Sequence, residues 1–437
     1  MKFPQKPPDD ADLEKIILGK SDIKEIEEIR HHIEIINDQY LHWDELQVDD
    51  RFKKVNLKEI WAFVSLFRKF NARLIRLNGK SLRYVQTRQI EKNLHDMDFM
   101  IGGEMALDII PSQELQKKYL INSIMEEAIA SSQLEGAATS RVVAKAMLRE
   151  NRKPRNPSEQ MIVNNYLAMM FIKDNAQPDQ KLTIELIKEI HKKITKDTLK
   201  NKEWEGSFRA DNEVKVWYYD QIVHNPPDSG TIEKLLEQVC NFANNESKEY
   251  YLHPLIKAII LHYLIGYIHP FNDGNGRTAR ALFYWYLITQ KYNKLEYVAV
   301  STAIKKAPSK YMRAYLYTQT DHEDITYFVK FNLRAINIAL RFFEKYIEKT
   351  RSETRKIFEA VRHNPKLNFR QADIIINLSK HERPLTINEM QERYNITYQT
   401  ARTDLLGLSK EFYLHKIKKG KQFLFILNKE KCITDKK

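Results

Sequence analysis

Two apolar runs stand out in the pattern of hydrophobic and polar positions along the chain. Residues 255–268 are largely apolar, interrupted by Lys257 and His262, and residues 281–288 form a second run. Between them lies His269-Pro270-Phe271-Asn272-Asp273-Gly274-Asn275-Gly276-Arg277-Thr278-Ala279-Arg280. Pro270 cannot continue a helix, so the first helix should stop near His269. Asp273-Gly274 and Asn275-Gly276 are strong turn dipeptides whose glycines allow a positive φ. A second helix should then start around Arg277. Neither run reaches the eighteen or so apolar residues of a membrane-spanning helix.

Elsewhere apolar residues recur at three and four spacing, the helical period. In residues 13–18, 23–36 and 57–77 they predict a helical region over 1–105, with Trp43 and Trp61 in its core. Pro111-Ser112 opens a longer helix with a stripe of Leu115, Ile121, Ile124, Met125, Ala128 and Ile129. It should end at Glu135, with Gly136 as a left-handed stop. Residues 151–157 carry two prolines and read as a loop, followed by helices at 158–174 and 182–196. The pattern then alternates in Val214-Lys215-Val216-Trp217 and in Ile222-Val223-His224, with turn-like Tyr219-Asp220 between them. That spacing predicts a small β-hairpin. Helices at 231–241 and 254–268 follow, and 332–349 predicts a helix leading away from the central segment.

The last part of the chain has its own pattern. Thr386-Ile387-Asn388-Glu389 is a capping box, and Ile387, Met390 and Tyr394 line one face of the helix it opens. A turn at Asn395-Ile396 precedes a second helix with Ala401, Leu405 and Leu408 inward and Tyr398, Gln399, Arg402 and Thr403 outward. Residues 416–425 read as a basic hairpin.

Only 12 glycines and 14 prolines in 437 residues leave little room for long loops, so the fold class is mainly α. That length suits two or three domains. The net charge of +13 is uneven, because residues 351–437 hold 19 Lys and Arg against 10 Asp and Glu. A basic terminal domain points to an acidic partner, nucleic acid first. Residues 1–20 have no continuous apolar core, so no signal peptide is expected. Cys240 and Cys432 lack ligand-like neighbours and read as buried cytoplasmic thiols. His253 and His262 read as capping or core residues.

The central segment carries the chemistry. A glycine turn running into a helix start collects unpaired N–H groups at the positive end of a helix dipole, which suits phosphate. Arg277 and Arg280, three apart, can grip a polyphosphate from one side. Asp273 offers a hard oxygen for Mg²⁺. His269 can take a proton from an attacking hydroxyl near neutral pH. Phe271, apolar among polar neighbours, pins the loop to the core.

This segment resembles the signature of Fic-domain proteins, His-Pro-Phe-x-[Asp/Glu]-Gly-Asn-Gly-Arg-x-x-Arg, at every specified position. The resemblance implies transfer of AMP from ATP to a Ser, Thr or Tyr hydroxyl of a target protein, itself included, with release of pyrophosphate. By resemblance His269 is the base, Asp273 holds Mg²⁺, and Gly274, Asn275 and Gly276 cradle the phosphates. Asn275 and Arg277 would contact the phosphates, and Arg280 would meet the γ-phosphate. Related Doc-type kinases replace the Gly-Asn-Gly turn, so its presence favours AMP transfer over phosphate transfer.

By itself, a carboxylate in the last helical turn is mildly unfavourable and cheaply tolerated when exposed. Yet Ser131-Ser132-Gln133-Leu134-Glu135-Gly136 resembles the family's inhibitory pattern, [Ser/Thr]-x-x-x-Glu-[Gly/Asn]. It implies that Glu135 pairs with Arg280, takes the γ-phosphate position and holds the enzyme off. An enzyme that mainly removes AMP is an alternative the same glutamate leaves open. The hairpin resembles the family's flap, which implies that Val214, Lys215 and Val216 align a target segment by main-chain pairing. Tyr311 or Tyr315 either lines the adenine pocket or packs in the core.

The expected organisation is a helical N-terminal domain (1–105), a Fic-like helical core with a small flap (106–345, inhibitory helix 112–136) and a C-terminal domain (346–437). The last resembles a winged helix. It implies DNA contact through Tyr398, Gln399, Arg402 and Thr403, or docking to protein. A DNA-binding regulator whose Fic-like unit senses nucleotide is therefore the rival reading. A cytoplasmic protein with no membrane partner is expected, while target and homodimer formation stay open.

Overall fold

The computed structural model describes residues 3–19, 23–77, 80–102, 113–218, 220–247, 249–362, 364, 366–381, 383–420 and 422–434. These residues are mainly α-helical and fall into two compact units. One comprises Met1–Gly103 with Ser123–Ala339, the other Glu104–Asn122 with Leu340–Lys437. The helices Gln113–Leu134 and Thr326–Arg362 have residues in both. The expected helix opening at Pro111-Ser112, and Gly103, Tyr219 and Lys421, lie outside the described residues.

The first unit is built around the helices Pro254–Ile268 and Asn275–Thr289, which pack on each other. Their apolar runs show no polar stripe because both helices are covered on nearly every side. Pro157–Asn175 and Ile184–Thr195 pack against the second helix, and Ile232–Asn244 against the first. The second helix begins at Asn275, two residues before the expected start at Arg277. No helix among the described residues is long and apolar enough to cross a membrane.

Near the N-terminus, Leu13, Ile36, Trp43, Leu46, Ile60 and Trp61 form a separate core, with the two indoles edge-to-face at 5.7 Å. The helix expected over 57–77 ends at Asn71 instead. Ala72–Leu77 is a strand, antiparallel to Lys80–Val85. Leu74 and Leu77 are three apart and imitate a helical stripe, but the buried pair is Ile75 and Leu77, the strand period of two. The intervening Asn78-Gly79, a strong hairpin dipeptide, was the signal for this hairpin in the sequence.

His42 caps the short helix Trp43–Leu46, accepting from the Asp44 N–H at Nδ1 (3.1 Å) and stacking on Tyr317 at 4.0 Å. Burial and the nearby Arg68 and Arg313 push its pKa down to about 3. Burial does the same to His262, whose pKa falls to about 3. An unfolded chain takes up these protons below about pH 6.5 while the folded one does not. The neutral histidines thus stabilise the fold fully above about pH 6.5, and that contribution is lost as the pH falls toward 3. His42→Asn keeps a capping acceptor without titrating. It is expected to flatten the decline of the urea midpoint between pH 6.5 and pH 4.

In the second unit, Ile357, Val361, Ile375, Met390, Ala401, Leu405, Leu408 and Phe425 share one core. Helix Ile387–Tyr394 opens on a complete capping box, Thr386 with Glu389, and turns at left-handed Asn395 into helix Tyr398–Lys410. Strands Leu414–Lys419 and Gln422–Leu427 pair antiparallel, and Leu385 bridges Phe425. The helix expected over 332–349 is an interior stretch of Thr326–Arg362.

Candidate active site

His269 follows directly on the helix end at Ile268 and adopts a left-handed conformation, φ 50° and ψ 56°. This kink turns the chain out of the helix while the His269 N–H still donates to the Ile265 carbonyl at 3.0 Å. Its Nδ1 lies 3.1 Å from the Gly266 carbonyl. A carbonyl only accepts, so Nδ1 carries the proton and Nε2 keeps its lone pair. Burial holds the imidazole below its ordinary pKa, so it is a neutral base at pH 7.

The turn after it is locked from inside. Phe271 is buried and stacks on His191 with ring centroids 3.6 Å apart. His191 accepts from the Gly206 N–H at Nδ1 (3.0 Å) and donates from Nε2 to the Asp273 carbonyl (2.8 Å). The Asn275 side chain accepts from the Phe271 N–H (2.9 Å) and donates to the Phe271 carbonyl (2.8 Å). Its amide is therefore engaged in bracing the loop, which leaves its backbone N–H as a donor at the helix start. Gly274 has φ +83°, and a Cβ there would stand 2.7 Å from Thr195 Cγ2, so glycine is required twice over.

Thr278 donates back to the Gly274 carbonyl, and the helix starts there. No acceptor among the described residues takes the N–H groups of Asn275, Gly276 or Arg277. Open helix-start donors of this kind attract an anion.

The arginines differ in their partners. Arg277 is buried, with Nη1 donating to the Ile194 carbonyl at 3.3 Å and Nη2 3.6 Å from Asp273 Oδ1. Its Nε and Nη2 make no hydrogen bond within the described structure. Buried, unmatched guanidinium protons are costly, so Arg277 is short of an acceptor. Arg280 is fully engaged on one side. Its Nε donates to Ser131 Oγ (2.8 Å), and its Nη2 to the Ser131 carbonyl and to Glu135 Oε1 (both 2.9 Å).

Glu135 lies one residue past the helix end at Leu134, ahead of Gly136 with φ +93°. Its carboxylate rests on the first turn of the Asn275–Thr289 helix, where a Cβ on Gly276 would collide with it. Asp273 is over half exposed at 58%; its Oδ1 accepts from the Gly274 N–H and faces Arg277, so Oδ2 is the oxygen it can offer at the rim. Among the described residues no cluster of three or more His, Cys, Asp or Glu could hold a metal alone. A single carboxylate suits Mg²⁺, which takes most of its ligands from phosphate and water.

The hairpin forms from Val216–Tyr218 and Gln221–His224, with a register shift between Val216 and Trp217. Val214 and Lys215, expected in the strand, precede it. The bulge confines pairing to the tip, and Lys215 bonds Asn225 across the base at 3.0 Å. His224 donates to the Tyr267 carbonyl (2.7 Å), tying the hairpin to the helix end that carries His269. Arg209 was not foreseen as a site residue. Its Nε donates to the His269 carbonyl (3.0 Å), and its other nitrogens to Asp211, Asn212 and Pro227 at the hairpin base. An arginine in a Gly-x-Phe-Arg stretch just before the hairpin was the available signal. Tyr311 shares a hydrogen bond with His262 (2.8 Å) and Tyr315 packs on Phe328, and both side chains are partly buried.

In the second unit, Tyr398, Gln399, Arg402 and Thr403 are exposed on one helix. Asp404 on the same helix turns inward to Arg370 Nε at 2.9 Å, leaving the outer face basic.

Residues 181–287 match the Fic/DOC family. The chain is 37% identical over 130 residues to "Protein adenylyltransferase Fic" of Drosophila virilis, covering 29% of this chain and 24% of that protein. To the Drosophila ananassae protein of the same description it is 33% identical over 128 residues, again 29% of this chain and 24% of the relative. The chain thus spans about a quarter of the length of the curated relatives it matches. In fold it is similar to a Fic family protein from Desulfovibrio desulfuricans G20. The TM-score is 0.54 at 20% identity, over 79% of this chain and 98% of that one. The His269 turn, its locked loop and its arginines sit inside the matched segment, so residues 181–287 carry a Fic domain.

Proposed function

We propose that the chain is a protein adenylyltransferase whose activity is held off by Glu135. The observation that carries this reading is the set of unmatched donors beside His269. Among the described residues the first N–H groups of the Asn275–Thr289 helix and the Nε and Nη2 of buried Arg277 find no acceptor, next to an imidazole whose Nε2 keeps its lone pair. A triphosphate would supply those acceptors. In the reaction, an acceptor hydroxyl oxygen on the target forms a bond to the α-phosphorus as the bond to pyrophosphate breaks. His269 Nε2 takes the hydroxyl proton. The helix-start N–H groups and Arg277 stabilise the charge that shifts onto phosphate oxygens. Mg²⁺, held through Asp273, would neutralise part of the phosphate charge when bound.

Glu135 occupies the Arg280 fork and lies against Gly276, which supports its role as an occupant of phosphate space. The hairpin offers the target a docking edge at Val216, and Arg209 and His224 fasten that hairpin to the base. Whether AMP is also removed depends on water reaching the same site, with Glu135 available to orient it. The direct test incubates the Glu135→Gly protein with α-labelled ATP, GTP, CTP and UTP. Label transferred to protein from ATP alone supports the reading, and no protein-bound label from any nucleotide overturns it.

A second reading concerns the C-terminal unit. Helix, turn, helix and basic hairpin, with Gln399 and Arg402 outward, support a winged-helix contact to DNA in which the second helix enters the major groove. Duplex DNA affinity is then expected to fall steeply with salt and to drop about tenfold in Arg402→Ala. Salt-insensitive or absent DNA binding by the full chain would favour a protein partner.

A further inference from the structure

We propose that Ser131 is a positioning residue for Arg280 in the active enzyme, separate from the block that Glu135 imposes. The inference rests on the AMP-transfer reading but concerns a different role for a residue of the same motif. Ser131 and Arg280 are both nearly inaccessible, 2% and 3% exposed. Ser131 makes the larger share of their contacts, through Oγ to Nε and through its carbonyl to Nη2. Glu135 adds a single hydrogen bond to Nη2, from a side chain that is 26% exposed.

The two partners are also attached differently. Ser131 lies within the helix, in a stretch held by neighbours on several sides. Asn165 donates to the Ala128 carbonyl at 3.2 Å, and Ser132 donates to the Met161 carbonyl at 3.3 Å. One turn earlier the buried Glu127 accepts from Tyr284 (2.8 Å) and from the Ser301 N–H (2.9 Å). Glu135 lies beyond the helix end, next to a left-handed glycine, with no comparable anchor among the described residues. Rotation of the Glu135 side chain can release Arg280 Nη2 without disturbing the helix. Ser131 then keeps the guanidinium plane in place, with the freed Nη2 proton directed at the space the carboxylate left. A planar fork held on one edge is pre-organised for phosphate on the other. Without the Ser131 hydroxyl, Arg280 Nε is left buried and unmatched, and the fork loses its fixed orientation.

The test compares Ser131→Ala and Ser131→Thr, each alone and combined with Glu135→Gly, by calorimetric titration with ATP and ADP and by AMP-transfer kinetics. In the Glu135→Gly background, Ser131→Ala is expected to weaken ATP about five- to tenfold and to raise the KM for ATP in parallel. ADP, which lacks the γ-phosphate, should change less than about twofold. Ser131→Thr keeps the hydroxyl and should retain ATP affinity. With Glu135 intact, Ser131→Ala should not raise transfer above that of the parent. Activation by Ser131→Ala alone, unchanged ATP affinity, or equal loss of ATP and ADP would each overturn the proposal. If Glu135→Gly transfers no AMP, the proposed activity fails, yet the ATP-to-ADP comparison still decides the role of Ser131.

Discussion

Glu135→Gly is expected to raise the rate of AMP transfer by about ten- to a hundredfold over the parent chain. The estimate follows from the bond it removes. Hydrogen bonds to charged groups contribute about 1.5–3 kcal/mol, and each 1.4 kcal/mol is a tenfold change in the population able to take ATP. Glu135 holds Arg280 Nη2 at 2.9 Å and covers the backbone of Gly276, so under the proposed reading it would oppose ATP by both charge and volume. Its loss has little structural cost, because it lies at the negative end of a helix dipole, where a carboxylate is not favoured. Glu135→Gln keeps the volume and loses the charge, so its activation should fall between the two. Transfer rates measured with labelled ATP check both variants. Equal rates in Glu135→Gly and the parent would remove the autoinhibitory role.

His269→Ala in the Glu135→Gly background loses at least about a hundredfold in transfer, the usual contribution of a positioned general base. ATP binding should persist, because in the proposed reading the phosphate contacts come from the helix-start N–H groups and the arginines, none of which belongs to the imidazole. A left-handed position disfavours alanine, so His269→Asn is the better control, since asparagine tolerates that conformation. Both variants should bind ATP and fail to transfer. Retained transfer would place the base elsewhere. The pH profile carries a second mark of the same residue. Burial lowers the His269 pKa, while the Glu135 charge opposes that shift. Activity should therefore persist below pH 6.5 and decline only at more acid pH, and Glu135→Gly should move that limb further down.

The two apolar runs and the turn between them were legible because their physics is local. Pro270 ends a helix by itself, and Asp273-Gly274 forms a tight turn with no help from distant residues. Near-continuous burial of 255–268 follows from its composition, since so apolar a helix has nowhere else to go. The capping box at Thr386 and Glu389 belongs to the same class, with both partners on one helical turn. The stretch 72–77 was misread for an equally local reason. Its leucines fit a helical spacing, and what decides between helix and strand is the partner at 80–85.

Other features needed the whole fold. Asn275 is expected to contact phosphate, and in the fold its amide also closes the loop on Phe271. His191 and Arg209 became part of the site only when packing set them against Asp273 and His269, across 82 and 60 residues of chain. The residue types, the turn and the donors at the helix start are properties of the sequence itself. Which donors stay free is decided by tertiary packing, because a buried hydrogen bond depends on what distant chain brings within about 3 Å. Ser131 and Glu135 engage Arg280, while Nε and Nη2 of Arg277 find no acceptor among the described residues, and no periodicity along the chain encodes that difference.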